Sequence, residues 1–318
     1  MSDIISHRGI LFPTQSYTYQ NCTSFFGISM ATEETGSLLV VVVDVNPVWW
    51  GSSKRKEKTS STLPQCMEQI MVFVNAHQMA SPQNKVAVIG SHANESRYLY
   101  PRKGSADIHQ TEVLAQIKSK DGKYEQFAKV QSDVMKELKD LIARNPVVSH
   151  TDTLLSGSLA MALCYIKRME KEAGVGQNLH SRILVIKAAE DSASQYMNFM
   201  NVTFTAQKQN VTIDACILSA DSGLLQQACD ITGGIYIKIP DIEGLLQYLL
   251  WVFLPPPSLR SNLILPPPIQ VDYRAACFCH RMLISIGYVC SVCLSSKMET
   301  TFLPWFICQS DFVKNCVA

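Results

Sequence analysis

Cysteines are concentrated near the carboxyl end of this chain, where they could bind a metal ion. Cys290 and Cys293 are separated by two residues, a spacing that lets two thiolates reach one tetrahedral zinc ion. Cys277 or Cys279, together with His280, could complete a set of four ligands, although a one-residue gap between cysteines is less typical. The alternative is a group of reduced thiols without a metal. We expect a structural zinc, which would supply folding free energy that so short a unit cannot obtain from a core.

A second candidate site begins where a long apolar run ends on a carboxylate. Residues 38–43 are all apolar, which is typical of a strand buried on both faces, and Asp44 follows directly. Ligands of open α/β sheets bind beyond the carboxyl ends of the strands. Asn46 lies two residues further on, and Thr153 or Thr151 could add a hydroxyl from a second loop. These residues predict a cation site or its remnant.

The remnant is the better interpretation. The segment resembles a metal-dependent adhesion site of the von Willebrand A type, which would read Asp-x-Ser-x-Ser, but Val48 supplies no oxygen. Lys187 ends a later predicted strand where an acid would be expected. Mg²⁺ prefers near-octahedral oxygen coordination. We therefore expect no magnesium at Asp44, Asn46 and Thr153, and expect Asp44 to bond to its own loop or to backbone amides.

Trp49 and Trp50 follow the same strand and are candidates for partner binding, because tryptophan often dominates protein interfaces. The alternative is that one ring packs beneath the neighbouring helix.

Catalytic patterns are poorly supported. Ser156-Gly157-Ser158 lies inside a predicted helix rather than at a strand-to-helix turn. No glycine-rich phosphate loop follows the first strand. His77, His92 and His150 have no acid or nucleophile at a recognisable spacing. We expect no catalytic residues and no enzymatic activity.

The alternation of elements predicts an α/β fold: a doubly wound, mainly parallel sheet with helices on both faces and one antiparallel edge strand. Strands are predicted at 38–43, 85–91, 97–100, 182–186, 211–218 and 235–239. Helices are predicted at 63–79, 124–143, 192–209, 222–232 and 242–253, with another capped by Thr151 or Thr153. Ser222 opens the helix at 222–232, and Gly233-Gly234 is the signal that ends it.

We predict four regions along the chain. Residues 1–36 lack periodicity and form a disordered extension, and 37–254 form the sheet domain. Residues 255–271 contain two triple prolines and form a semi-rigid linker. Residues 272–318 form a cysteine-rich unit with an incomplete zinc finger.

Composition narrows the class of protein. A net charge of +1 gives no electrostatic case for binding nucleic acid or an anionic membrane. The first residues do not resemble a signal peptide, so the 11 cysteines are expected to be reduced and to favour zinc over disulfides.

Several long strings resemble the small von Willebrand A-like subunit (subunit 3) of the core of general transcription factor IIH (TFIIH). They include Asp44-Val45-Asn46-Pro47-Val48-Trp49-Trp50-Gly51 and Val271-Asp272-Tyr273-Arg274-Ala275-Ala276-Cys277-Phe278-Cys279-His280. The resemblance runs from about Thr35 to Ser295 and also covers 119–125, 182–201, 221–234 and 245–255.

The resemblance implies a non-catalytic scaffold in the nucleus. In that family the domain pairs with the cysteine-rich carboxyl-terminal region of a larger von Willebrand A subunit. The complex serves promoter opening for RNA polymerase II and nucleotide excision repair. The alternative is a metal-dependent receptor of the adhesion or ubiquitin-receptor type, which would require Mg²⁺.

The chain departs from the family pattern at both ends. The family begins near the position of Met30, so residues 1–29 resemble an extension. After Ser295 the sequence diverges, and Cys308 and Cys316 do not reproduce the spacing of a second cysteine pair. These features imply an altered and truncated zinc finger.

Overall fold

The structure is a computed structural model. It describes residues 36–56, 62–101, 125–145, 152–173 and 179–267, together with 270, 271, 273 and short strands between 275 and 315. The predictions for residues 1–35 and for the loop after Pro101 therefore fall outside the described residues.

The main sheet has six strands in the order β3-β2-β1-β4-β5-β6. All neighbours run parallel except β2 and β3, which form the antiparallel hairpin at one edge. The predicted fold class is confirmed. The strands are β1 (Ser37–Asp44), β2 (Lys85–Ser91), β3 (Ser96–Tyr100), β4 (His180–Lys187), β5 (Thr212–Ile217) and β6 (Tyr236–Lys238).

Strand β1 lies at the centre of the sheet because both of its faces are apolar. Leu39, Val41 and Val43 belong to the core on one face, whereas Leu38, Val40 and Val42 belong to the core on the other. Each of these side chains is at most 1% exposed. A strand with no polar face can only be stable between two covered layers.

Helices cover both faces. Side chains from α1, α2, α3 and the last helix pack on one face, and those from α4, α5 and α6 pack on the other. The helices are α1 (Pro47–Lys56), α2 (Leu63–Ala80), α3 (Glu125–Arg144), α4 (Leu155–Ala173), α5 (Tyr196–Lys208), α6 (Gly223–Thr232) and α7 (Leu245–Tyr248), which continues as a π turn through Leu249–Phe253.

Both ends of α6 follow the sequence prediction. The hydroxyl of Ser222 accepts a hydrogen bond from the amide of Leu225, and Gly233 ends the helix in the left-handed conformation at φ +70°. The amide of Gly234 then donates to the carbonyl of Cys229 at 2.7 Å. Glycine suits the left-handed position because it has no Cβ.

One helix was not predicted, and one expectation was wrong. Residues Pro47–Lys56 form helix α1, and Pro47 begins the helix at the position where proline is best tolerated. Thr153 does not cap α4. Its side chain instead bonds to Asp44 and Asn46.

The segment after α7 is attached to the sheet domain. Residues Pro257–Asn262 form a 3-10 turn, and Leu265 packs against the core. The Arg260 side chain reaches from this turn to Asp214 in strand β5. The first part of the predicted linker is therefore held by a buried contact.

Beyond the linker, the described residues form short strands. Strand β7 (Ala275–Ala276) pairs with β8 (Leu283–Ile284), and β9 (Gly287–Cys290) pairs with β10 (Ser296–Lys297) and β11 (Phe312–Asn315). Cys277, Cys279, His280 and Cys293 lie outside the described residues, whereas Cys290 ends β9.

Candidate functional site

The carboxyl ends of strands β1, β4 and β5 bring together the polar residues that the sequence singled out. Asp44 ends β1 and is 1% exposed. Its Oδ1 accepts from the Asn46 amide at 3.1 Å and from the Thr153 hydroxyl at 3.0 Å. Its Oδ2 accepts from the amides of Ala188 and Ala189 at 3.2 and 2.8 Å. The Asp44 carboxylate thus bonds mainly to backbone amides.

Asn46 and Thr153 complete this arrangement. The Asn46 Nδ2 donates to the Thr153 hydroxyl at 3.0 Å, and the Val48 amide donates to the Asn46 Oδ1 at 3.0 Å. The three residues predicted as a degenerate cation site are therefore in direct contact with one another. Asn46 and Thr153 meet although they are 107 positions apart in the sequence.

This arrangement does not fit a divalent cation. A cation would need oxygen lone pairs from the site. Here the Asp44 oxygens accept four hydrogen bonds, the Asn46 oxygen accepts one, and the Thr153 hydroxyl donates to Asp44. The residues that would hold the metal are already engaged with protein donors.

Lys187, at the end of β4, lies beside this network. It is 3% exposed, forms an ion pair with Asp191, and its Nζ is 3.4 Å from the Ser222 hydroxyl. Burial lowers the pKa of Lys187 to about 8, while the Asp44 and Glu190 carboxylates act in the opposite direction. The lysine places a positive charge where the sequence comparison expected an acid.

Asp191 joins the end of β4 to the start of α6. The Ser222 hydroxyl donates to its Oδ1 and Oδ2 at 2.7 and 2.9 Å, and the Leu224 amide donates to Oδ2 at 3.3 Å. A carboxylate at a helix N-terminus is favoured by the helix dipole. Sequence analysis did not identify Asp191 or Ser222 as part of this edge. The N-cap signal at Ser222 predicted the helix but not its contact with Asp191.

Among the residues that the structure describes, two buried polar atoms near Asp44 have no hydrogen-bond partner. They are the Ser91 hydroxyl and the His92 Nε2. The His92 Nδ1 accepts from the Asn94 amide at 3.2 Å, so the proton belongs on Nε2. Burial lowers the pKa of His92, against the attraction of Glu95 and Asp44. These two atoms suit an ordered water molecule.

The two tryptophans have different roles. Trp50 is 6% exposed, and its indole N–H donates to the Asp44 carbonyl at 3.0 Å. Trp49 is partly buried and packs edge-on against it, with ring centroids 4.7 Å apart. Trp50 therefore packs into the core and exposes little of its surface. Trp49 stays a partner-binding candidate.

The serines of α4 are structural. The Ser156 hydroxyl bonds to Gln195 at 3.2 Å, and the Ser158 hydroxyl lies 2.8 Å from that of Ser96. Among the described residues, no group of three or more His, Cys, Asp or Glu side chains is placed to hold a metal ion. None of the described helices has the length and apolar character that would span a bilayer.

At the opposite end of the strands lies an arrangement that sequence analysis missed. The Arg260 guanidinium bonds to the Asp214 carboxylate at 2.8 and 2.5 Å. The Arg182 guanidinium donates to the carbonyls of Phe253, Leu254 and Pro255 at 2.6, 3.0 and 3.1 Å. These contacts join residues that are far apart in the sequence, so no local sequence pattern predicts them.

Comparison with known proteins places the chain in a well-defined group. A family model described as "Transcription factor Tfb4" matches residues 36–309. The "General transcription and DNA repair factor IIH subunit tfb4" of Schizosaccharomyces pombe is 39% identical over 274 residues, which are 86% of this chain and 88% of that protein. The TFB4 subunit of Arabidopsis thaliana, with the same general description, is 37% identical over 83% of this chain and 85% of its own length.

A solved structure agrees with the sequence relatives. The crystal structure of the TFIIH p34 N-terminal domain is 31% identical and superposes with a TM-score of 0.56. The match covers 68% of this chain and 97% of that domain.

Proposed function

The chain belongs to the transcription factor Tfb4 family, and on that premise we propose that it is a non-catalytic scaffold subunit of the TFIIH core. In this role it would support promoter opening for RNA polymerase II and nucleotide excision repair through protein–protein contacts.

The observation that carries the proposal is the extent of the family match. The match spans residues 36–309, so it includes the sheet domain and continues through the cysteine cluster. The fungal and plant relatives are named as subunits of a general transcription and DNA repair factor. A likeness of this length and identity goes well beyond a shared fold, which alone would say little about function.

The carboxyl edge of the sheet supports a scaffold rather than an enzyme. Asp44, the most suitable acid, is fully engaged by amides and by Thr153. The nearby serines bond to Gln195, Ser96 and Asp191 rather than to a histidine base. A nucleophile needs a base within hydrogen-bonding distance, and the described residues of this edge do not form such a pair.

The partner, the compartment and the metal are part of the same proposal. The chain would pair with the cysteine-rich carboxyl-terminal region of the larger von Willebrand A subunit and act in the nucleus. The predicted zinc ligands remain Cys277, Cys279, His280, Cys290 and Cys293. The chain by itself would bind neither a specific DNA sequence nor a membrane.

Co-purification tests the proposal directly. The full chain would be co-expressed with the cysteine-rich region of the larger subunit, and zinc and magnesium would be counted by mass spectrometry. We expect a stable complex that contains zinc and lacks magnesium. A folded chain that does not bind would contradict the proposed partner, and a complex that forms only with added magnesium would favour the receptor alternative.

A further inference from the structure

We propose that the ammonium group of Lys187 takes the place of a divalent cation at the carboxyl edge of the sheet, as a built-in counter-charge for Asp44 and Asp191. This role concerns the domain itself, and it does not depend on which partner the domain binds.

The sheet register places the charges together. Val43 of β1 pairs with Ile186 of β4, so Asp44 and Lys187 are the next residues on two neighbouring parallel strands. Side chains at the same level of neighbouring strands point to the same face. The first residues after β4 then give their amides to Asp44, and Asp191 forms an ion pair with Lys187. The Lys187 ammonium thus pairs with Asp191 and belongs to the strand beside Asp44, whose carboxylate also attracts it.

Burial makes this charge necessary. The side chain of Lys187 is 4% exposed and that of Asp191 is 22% exposed, while Asp44 as a residue is 1% exposed. A buried carboxylate is costly unless it is hydrogen-bonded and balanced by a positive charge. Amides satisfy the hydrogen bonds of Asp44 but carry no full charge. The nearby lysine supplies it.

Another ion pair at the same edge gives a matched contrast. Lys238 contacts Asp221 at 2.9 Å, but these side chains are 43% and 55% exposed. Water screens such a pair, and its loss costs little. If each lysine matters only as a member of an ion pair, magnesium should affect the thermal stability of both lysine variants alike. If Lys187 replaces a cation, only the Lys187 variant should be stabilised by magnesium.

The experiment compares Lys187→Met, Lys187→Arg and Lys238→Met in the full chain. Thermal midpoints would be measured in millimolar MgCl₂, in NaCl of matched ionic strength and in EDTA. For Lys187→Met in NaCl we expect a midpoint lower by roughly 5–15 °C, because one member of a mostly buried pair is lost. Magnesium should recover a part of that loss, since removing the ammonium frees an oxygen of Asp191 as a possible ligand and leaves the charge of Asp44 unbalanced, although the Asp44 oxygens keep their hydrogen bonds.

The controls decide the interpretation. The original chain and Lys187→Arg keep the positive charge at residue 187, so the midpoint of each should be the same in MgCl₂ as in NaCl. The midpoint of Lys238→Met should also be the same in the two salts. The proposal is overturned if Lys187→Met is as stable as the original chain, or if it is equally destabilised in magnesium and sodium. If Lys187→Met does not fold in NaCl, its refolding yield is compared between the two salts, and no gain with magnesium overturns the proposal.

Discussion

Both terminal nitrogens of Arg260 donate hydrogen bonds to the carboxylate of Asp214, and the two side chains are 8% and 1% exposed. This pair joins the turn after the last helix to strand β5. Arg182, on the neighbouring strand β4, is attracted by the same aspartate and repelled by Arg260. Asp214 is therefore the carboxylate that balances two buried guanidinium groups.

Replacing Asp214 with alanine should destabilise the domain strongly. The substitution leaves Arg260 and Arg182 buried without their counter-charge, and we expect a loss of about 3–5 kcal/mol in the free energy of unfolding. Urea unfolding followed by circular dichroism measures it. Asp221→Ala removes an exposed pair and should cost less than about 1 kcal/mol. Similar losses in the two variants would contradict a buried charge cluster.

His77 should make the domain sensitive to acid. It is 3% exposed, and burial together with the nearby Arg182 lowers its pKa from 6.5 to about 4. The unfolded chain therefore takes up this proton first as the pH falls. The contribution of neutral His77 to the free energy of unfolding is complete above pH 6.5. It is lost progressively as the pH falls towards 4, and the loss is at most about 3 kcal/mol.

The substitution His77→Gln should flatten this part of the stability profile. His92 would keep a smaller slope, because burial also lowers its pKa. The exposed His180 provides the control variant, and the profile of His180→Gln would be compared with that of His77→Gln. The measurement is the free energy of unfolding in urea between pH 4 and pH 7. An unaltered slope in His77→Gln would show that other groups cause the acid sensitivity.

Gly234 should tolerate alanine much less than Gly233 does. A Cβ at Gly234 would lie 1.9 Å from the Ile213 carbonyl oxygen, which is backbone and cannot move away easily. We expect a loss of about 3 kcal/mol or more. Gly233 has open space around it, so Gly233→Ala should cost only about 1–2 kcal/mol for its positive φ. Thermal unfolding of both variants would check the order, and equal losses would refute it.

The two tryptophans should separate stability from binding. Trp50→Phe removes the hydrogen bond to the Asp44 carbonyl and should cost about 1–3 kcal/mol. Trp49→Ala should cost less stability than Trp50→Ala, because Trp49 is only partly buried and Trp50 belongs to the core. If Trp49 contacts a partner, Trp49→Ala should weaken co-purification with the larger subunit. Undiminished binding by a folded Trp49→Ala protein would remove it as a contact.

Cys290→Ser should affect residues 272–318 without unfolding the sheet domain. The substitution removes one predicted zinc ligand, so the zinc count should fall. Hydrogen exchange of residues 37–254 should remain close to that of the original chain. Unfolding of the whole protein on this substitution would refute a division into two units.

Sequence patterns predicted the elements that depend on local chemistry. The unbroken apolar run before Asp44 predicted the central strand, because only a doubly covered strand tolerates it. The Ser222 N-cap and Gly233 end signals predicted α6, because caps act within a few residues. Asp44 and Asn46 were also singled out, since Asp44 ends strand β1 and Asn46 follows it closely.

The rest depended on contacts between distant parts of the chain. The sequence offered Thr151 or Thr153 both as a helix cap and as a hydroxyl of the candidate cation site, and only the fold shows that the Thr153 hydroxyl reaches Asp44. No local pattern joins Arg260 to Asp214 of strand β5, because the two residues are 46 positions apart in the sequence. Trp50 resembles an exposed residue after a strand, but Pro47 starts a helix that turns its ring inward.

The central position of β1 has a consequence for synthesis of the protein. This strand is made before the other five, yet its second neighbour is β4, which begins only at His180. On the ribosome, the apolar residues 38–43 therefore have one unpaired edge until most of the domain has been translated. Such an edge promotes association between nascent chains. The central strand can therefore be enclosed on both edges only late in synthesis, although it is the first strand to be made.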